Sequence, residues 1–127
     1  MQAKYAVAGM FASFVLGATA VQGLHAQTKS PAFGIVEVVV SDKEPYAKEF
    51  LPPITKTVSD TGGKFLAVGG KTVALTGAPP AGRVVLVQWE TMDQLQSWWN
   101  SQATKDAYAI GNKYATFRIF AVEGAKP

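Results

Sequence analysis

The chain contains no cysteine, and its single histidine, His25, lies close to the N-terminus. The missing cysteine excludes disulfide support and thiolate chemistry. If His25 is removed with the leader described below, Ser–His and Cys–His nucleophile systems, zinc sites built on His or Cys, and haem held by a proximal histidine are excluded as well. Charge is also sparse. Lys and Arg number 12 against 9 Asp and Glu, for a formal net charge of +3. The lysines are scattered, so the basic stripe typical of nucleic-acid binders is missing and no such partner is expected. No apolar run reaches the ~20 residues that span a bilayer. What remains for chemistry is Tyr, Lys, Arg, Asp, Glu and the backbone, with no cofactor or metal expected.

The first segment has a layout of its own. Lys4 supplies one positive charge, Ala6 to Val21 is uncharged and mostly apolar, and small Ala26 stands before Gln27. These are the three parts of a secretory signal peptide. The expected organisation is a signal at 1–26, a loose leader at 27–32, one domain at 33–124 and a tail at 125–127, with a periplasmic or secreted product that keeps no stable membrane anchor after cleavage.

Phe33 to Val40 is dense in β-branched residues and apolar on both faces, which predicts a strand covered on both sides. Glu37 is the exception and is expected at an exposed strand end, since buried carboxylates are rare unless paired. Ser41 and Glu44 have the spacing of a capping box. Tyr46, Phe50, Ile54 and Val58 then recur every four residues, a helical stripe. Pro52-Pro53 predicts a kink or restart within it. Thr61-Gly62-Gly63 ends the helix. Lys64 to Gly70 reads as a second strand, continued by Lys71 to Leu75, with Gly69-Gly70 as a bulge or bend. After the turn at 76–82, Arg83 to Glu90 reads as a third strand, forming a hairpin with the second. Thr91 and Gln94 again have capping-box spacing, opening a helix that carries Trp98 and Trp99. A further helical segment from about Thr104 to Tyr114 precedes a fourth strand, Thr116 to Gly124. The order β-α-β-β-α-β is that of a ferredoxin-like α+β sandwich on an antiparallel four-stranded sheet.

The segments GGKFLAVGG (62–70), the strand beginning at Arg83, WWNS (98–101) and FRIFAVEG (117–124) resemble the family known as domain of unknown function 1330. The resemblance covers about Phe33 to Gly124. It implies a ferredoxin-like domain that pairs as a dimeric α/β barrel, in a superfamily that includes cofactor-free monooxygenases, isomerases and haem enzymes. The family itself has no established reaction. Members commonly read Ser-Pro-Glu-Tyr after a Trp-Tyr pair and carry an arginine later in that helix. Here Trp99 stands at the tyrosine, Ser101-Gln102-Ala103-Thr104 replaces the tetrapeptide, and Gly111 falls at the arginine. Lys113 substitutes only partly, lacking the planar fork of Arg.

A pocket between the sheet and its helices, walled by Trp89, Trp98, Trp99, Tyr108 and Tyr114 with polar contacts from Lys64, Arg83, Asn100 and Lys113, would suit a small organic molecule. Tyr108 is the candidate proton donor, with Arg83 or Lys113 as the cation needed to lower a phenol from its ordinary pKa of about 10. Each of these residues also has a structural reading, the tryptophans as core or subunit seam and Tyr108 as a packing residue with a polar tip. Three functions follow: a homodimer that binds a small organic molecule, a cofactor-independent monooxygenase or isomerase using Tyr108 and Arg83, or a protein-interaction module. Adjacent helical residues point about 100° apart, so Trp98 and Trp99 are expected to divide between core and rim or seam, in an order that spacing leaves open.

Overall fold

The structure, a computed structural model, describes residues 29–126. The predicted signal segment lies outside them. Among the described residues no helix is long and apolar enough to cross a membrane.

The β-branched run forms β1 (Ala32–Val40), one of two central strands of a sheet completed by β2 (Lys64–Val68), β3 (Arg83–Trp89) and β4 (Ala115–Glu123). The order is β2-β3-β1-β4 and each neighbouring pair is antiparallel. Between β1 and β2 run α1 (Lys43–Pro45), a π-helical turn (Tyr46–Phe50) and α2 (Leu51–Asp60). Between β3 and β4 run α3 (Met92–Asn100) and α4 (Gln102–Gly111). The arrangement is the ferredoxin-like sandwich, held within one unit, Ser30–Ala125.

Register sets Ala32, Gly34, Val36 and Val38 on one sheet face, opposite Trp89, Val87, Val85 and Arg83. Helices cover this inner face. Val38, Val87 and Trp89 are buried there with Tyr46, Phe50, Ile54, Val58, Leu95 and Trp98, so the four-residue stripe is core throughout. Phe33, Ile35, Glu37 and Val39 point the other way, beside Val84, Leu86, Phe120 and Val122. That outer face is open: Val39, Phe120 and Val122 are 45%, 44% and 50% exposed.

Pro52 and Pro53 explain the π-helical turn. Neither can donate to the carbonyl four residues back, and each ring crowds it. The helix widens instead, with Leu51 N–H bonding Tyr46 O, and α2 restarts with the prolines in its first turn, where donors are not needed. Gly62, at φ +86°, turns the chain out of α2, and Gly63 N–H returns to Val58 O. A Cβ on Gly63 would lie 2.8 Å from the Trp89 ring, so glycine is required for close packing.

Several expectations are corrected or refined. Ser41 does not cap the first helix; Asp42 stands at that position without a side-chain bond, and Ser41 Oγ donates to Tyr114 O at 2.9 Å. Lys71–Leu75 is loop, because Gly69 turns at φ +64° and β3 begins only at Arg83, leaving those residues no ladder partner. The register shift falls between Phe65 and Ala67, ahead of the Gly69-Gly70 bend. Glu37 sits in mid-strand, half-buried, and accepts from its cross-strand partner Arg118 at 2.7 Å. Thr91 does cap α3, accepting from Gln94 N–H at 3.1 Å, but the Gln94 amide donates to Thr61 O instead of closing the box. Helix α4 starts earlier than expected because Ser101 caps it, accepting from Thr104 N–H while its hydroxyl donates to Trp98 O.

Candidate functional site

Between the inner sheet face and the α1–α2 region lies a cavity of about 310 Å³. Its walls are nearly all apolar: valines of β1 and β3, Phe50, Ile54 and Val58 from the helices, Phe65 and Val68 from β2, and the rings of Trp98, Tyr108 and Phe117. Among the lining residues Val68 and Thr55 also face solvent, so the mouth lies between edge strand β2 and α2. Besides Thr55 at the mouth, two phenols are the polar exceptions. Tyr46 and Tyr108 both line the cavity, and among the described residues neither hydroxyl has a protein hydrogen-bond partner. Burial pushes both phenol pKa values up. For Tyr108 the neighbouring Tyr46 adds to the rise, while Arg83 partly opposes it for Tyr46. At neutral pH both are therefore protonated and able to donate.

The expected site residues divide into groups. Trp98 lines the cavity and is 4% exposed; its Nε1 donates to Thr57 Oγ1 at 3.0 Å. Trp89 is buried beside it, ring centroids 4.7 Å apart, and its Nε1 donates to Thr61 Oγ1 at 3.1 Å. Trp89 does not line the cavity. The two indoles are thus anchored to hydroxyls four residues apart, Thr57 on α2 and Thr61 at its C-terminal cap. Trp99, 43% exposed, leans on Tyr108 and lines a shallow outer groove with Lys105 and Asn112. Trp98 is therefore the core member of the pair and Trp99 the rim member, with Tyr108 reaching both the cavity and the groove. Asn100 borders a separate polar depression, and Lys64 and Lys113 are exposed away from the cavity wall.

Of the two cations named for Tyr108, Lys113 is exposed and Arg83 lies over a different phenol. The Arg83 guanidinium carbon lies 6.0 Å from the ring centre of Tyr46. Tyr114 is also absent from the cavity, its hydroxyl donating to Glu49 at 2.8 Å. At Gly111, where the resemblance places an arginine, the space is filled: a Cβ would meet Phe50 at 2.6 Å and Phe117 at 3.1 Å. The residue missed by sequence reasoning as a site member is Tyr46. Its signal was a hydroxyl within an otherwise apolar core stripe, which needs a partner once buried. Among the described residues no group of three or more acidic or His side chains could hold a metal ion.

The fold belongs to the ferredoxin-like α+β class, and solved structures share it. A protein of unknown function from Rhodopseudomonas palustris superposes with a TM-score of 0.57 at 14% identity, covering 78% of this chain and 85% of that one. A Caulobacter crescentus CB15 protein assigned as an antibiotic biosynthesis monooxygenase superposes at 0.53 and 16% identity, covering 77% and 92%. At these identities the likeness is one of fold. The chain itself belongs to the family described as Domain of unknown function (DUF1330), whose model matches residues 31–125. No curated protein matches it.

Proposed function

We propose that this protein is an exported homodimer that binds a small, mainly apolar organic molecule in the cavity beneath α2. The observation that carries the reading is that Tyr46 and Tyr108 line this apolar cavity while, among the described residues, neither hydroxyl has a protein hydrogen-bond partner. Buried polar groups are normally hydrogen-bonded, and a ligand acceptor supplies what the chain does not. A volume of about 310 Å³ is at the small end of ligand pockets. The chemistry supported is hydrogen-bond donation by neutral phenols. The open outer sheet face supports pairing of two copies, since an apolar area of this kind on a small domain marks an interaction surface. The signal-like segment at 1–26 supports export.

Native mass spectrometry of protein purified gently from the exported fraction tests all three parts. A dimer starting near residue 27 and carrying a small organic mass is the expected result. Tyr46→Phe and Tyr108→Phe each lower retention of that mass several-fold while leaving the dimer intact. Recovery of full-length protein from the cytoplasm would end the export reading, and an empty protein that no small apolar compound quenches in tryptophan fluorescence would end the binding reading.

A further inference from the structure

One cation, Arg83, lies against the cavity wall at Tyr46, and among the described residues it has no ion-pair or side-chain hydrogen-bond partner. Arg83 opens β3 on the inner sheet face, in the same row as the cavity-lining Val85 and Val87. Its stem passes beside the backbone of Gly69, where a Cβ would lie 3.4 Å from Arg83 Cδ. Gly69 follows Val68, a residue of the mouth, and is held to β3 by its N–H bonding Val84 O at 2.9 Å. From there the guanidinium reaches over the Tyr46 ring. Among the described residues Arg83 makes no salt bridge and donates no side-chain hydrogen bond, whereas Arg118, the other described arginine, is paired with Glu37.

Resting on the binding reading above, we infer that the ligand is a monoanionic organic acid, its apolar body in the cavity and its carboxylate at the mouth, held by the Arg83 guanidinium and the Tyr46 hydroxyl. A guanidinium presents a planar fork that matches a carboxylate, and such charge-assisted bonds exceed neutral ones in strength. The apolar walls give shape selection; the Arg83 guanidinium gives charge selection. A neutral analogue of the same shape keeps the first and loses the second. A dianion places a second charge against valine and phenylalanine, a position that costs desolvation without a partner.

The test uses matched probes: 3-phenylpropanoate and octanoate against their primary amides, titrated into the protein with tryptophan fluorescence or calorimetry as readout. The acids bind about tenfold more tightly than the amides, as loss of one charge-assisted contact predicts. Arg83→Gln brings acid and amide within about twofold of each other by weakening the acid alone, and Arg83→Lys restores part of the preference. Arg83 is exposed, and an unchanged melting temperature in both variants confirms that the fold is kept. Amides binding as well as acids, or a preference that survives Arg83→Gln, would overturn the charge inference and leave the binding site standing. Failure of acids and amides alike would overturn both.

Discussion

The two faces of one sheet have nearly the same composition and opposite fates. Along β1 the inner residues Ala32, Val36 and Val38 are buried, while Val39, on the other face of the same strand, is nearly half exposed. On β4, Phe117 turns in towards Phe50 and Tyr108, whereas Phe120 lies open with the Arg118 guanidinium 4.9 Å from its ring centre. Antiparallel sheets with one wet side normally alternate apolar and polar residues. This one does not: both faces are largely apolar, and its own helices cover one of them. The loop after β2 carries the same message, with Leu75 90% exposed. The inner face differs in another way: it is covered yet incompletely filled, and its unfilled volume is lined by Tyr46 and Tyr108, whose hydroxyls have no protein partner among the described residues.

The sharpest way to break the comparison is to place one carboxylate on each face. Val87→Asp buries an unpaired charge and costs on the order of 4 kcal/mol or more; loss of a cooperative unfolding transition by circular dichroism is expected. Phe120→Asp on the outer face costs the fold no more than about 1 kcal/mol and, if the proposed dimer pairs through this face, yields a monomer in sedimentation velocity. If Phe120→Asp stays dimeric, the outer face is not the seam.

The adjacent tryptophans sharpen the same contrast at closer range. Trp98→Ala removes a buried ring and costs about 3–5 kcal/mol in urea unfolding, while Trp99→Ala costs about 1 kcal/mol, the value of its aromatic contacts. Thr57→Val leaves the Trp98 indole N–H without an acceptor, for a loss of about 1–3 kcal/mol. Similar costs for both tryptophans would contradict the placement of Trp99 at the rim.

The smallest effect is in pH. Burial raises the pKa of the Tyr108 phenol above its ordinary value of 10.0. Above pH 10 the unfolded chain therefore releases that proton while the folded chain holds it, so the unfolded state binds fewer protons and stability falls as pH rises. The contribution is fully present below pH 10 and is lost progressively above it. Urea midpoints measured from pH 9 to 11 decline, and they decline less in Tyr108→Phe.

The fold was legible because its signals are local. The four-residue stripe from Tyr46 to Val58, the diproline restart, the glycine exit at 62–63 and the Thr91 cap each act within a few residues. Expectations failed where a distant partner intervened. Ser41 is drawn to Tyr114, 73 positions away, and Gln94 to Thr61, 33 away. Glu37 is set in mid-sheet by Arg118, 81 positions on. The candidate site fared similarly. Trp98 and Tyr108 were named for their chemistry and do line the cavity, but Tyr46 was placed only in the core, and Arg83, paired in the sequence reading with Tyr108, lies over the Tyr46 ring.

The sequence alone determined the element order, the apolar character of both sheet faces, and the poverty of nucleophiles and metal ligands, because periodicity, capping and composition are properties of short windows and counts. Only the tertiary structure decided which tryptophan turns inward, that Phe50 and Phe117 fill the space beside Gly111, and that Tyr46, Tyr108 and Arg83 share one cavity and its edge. Those outcomes depend on helix rotation against the sheet and on strand register, which bring together side chains as far apart in sequence as 46, 83 and 108.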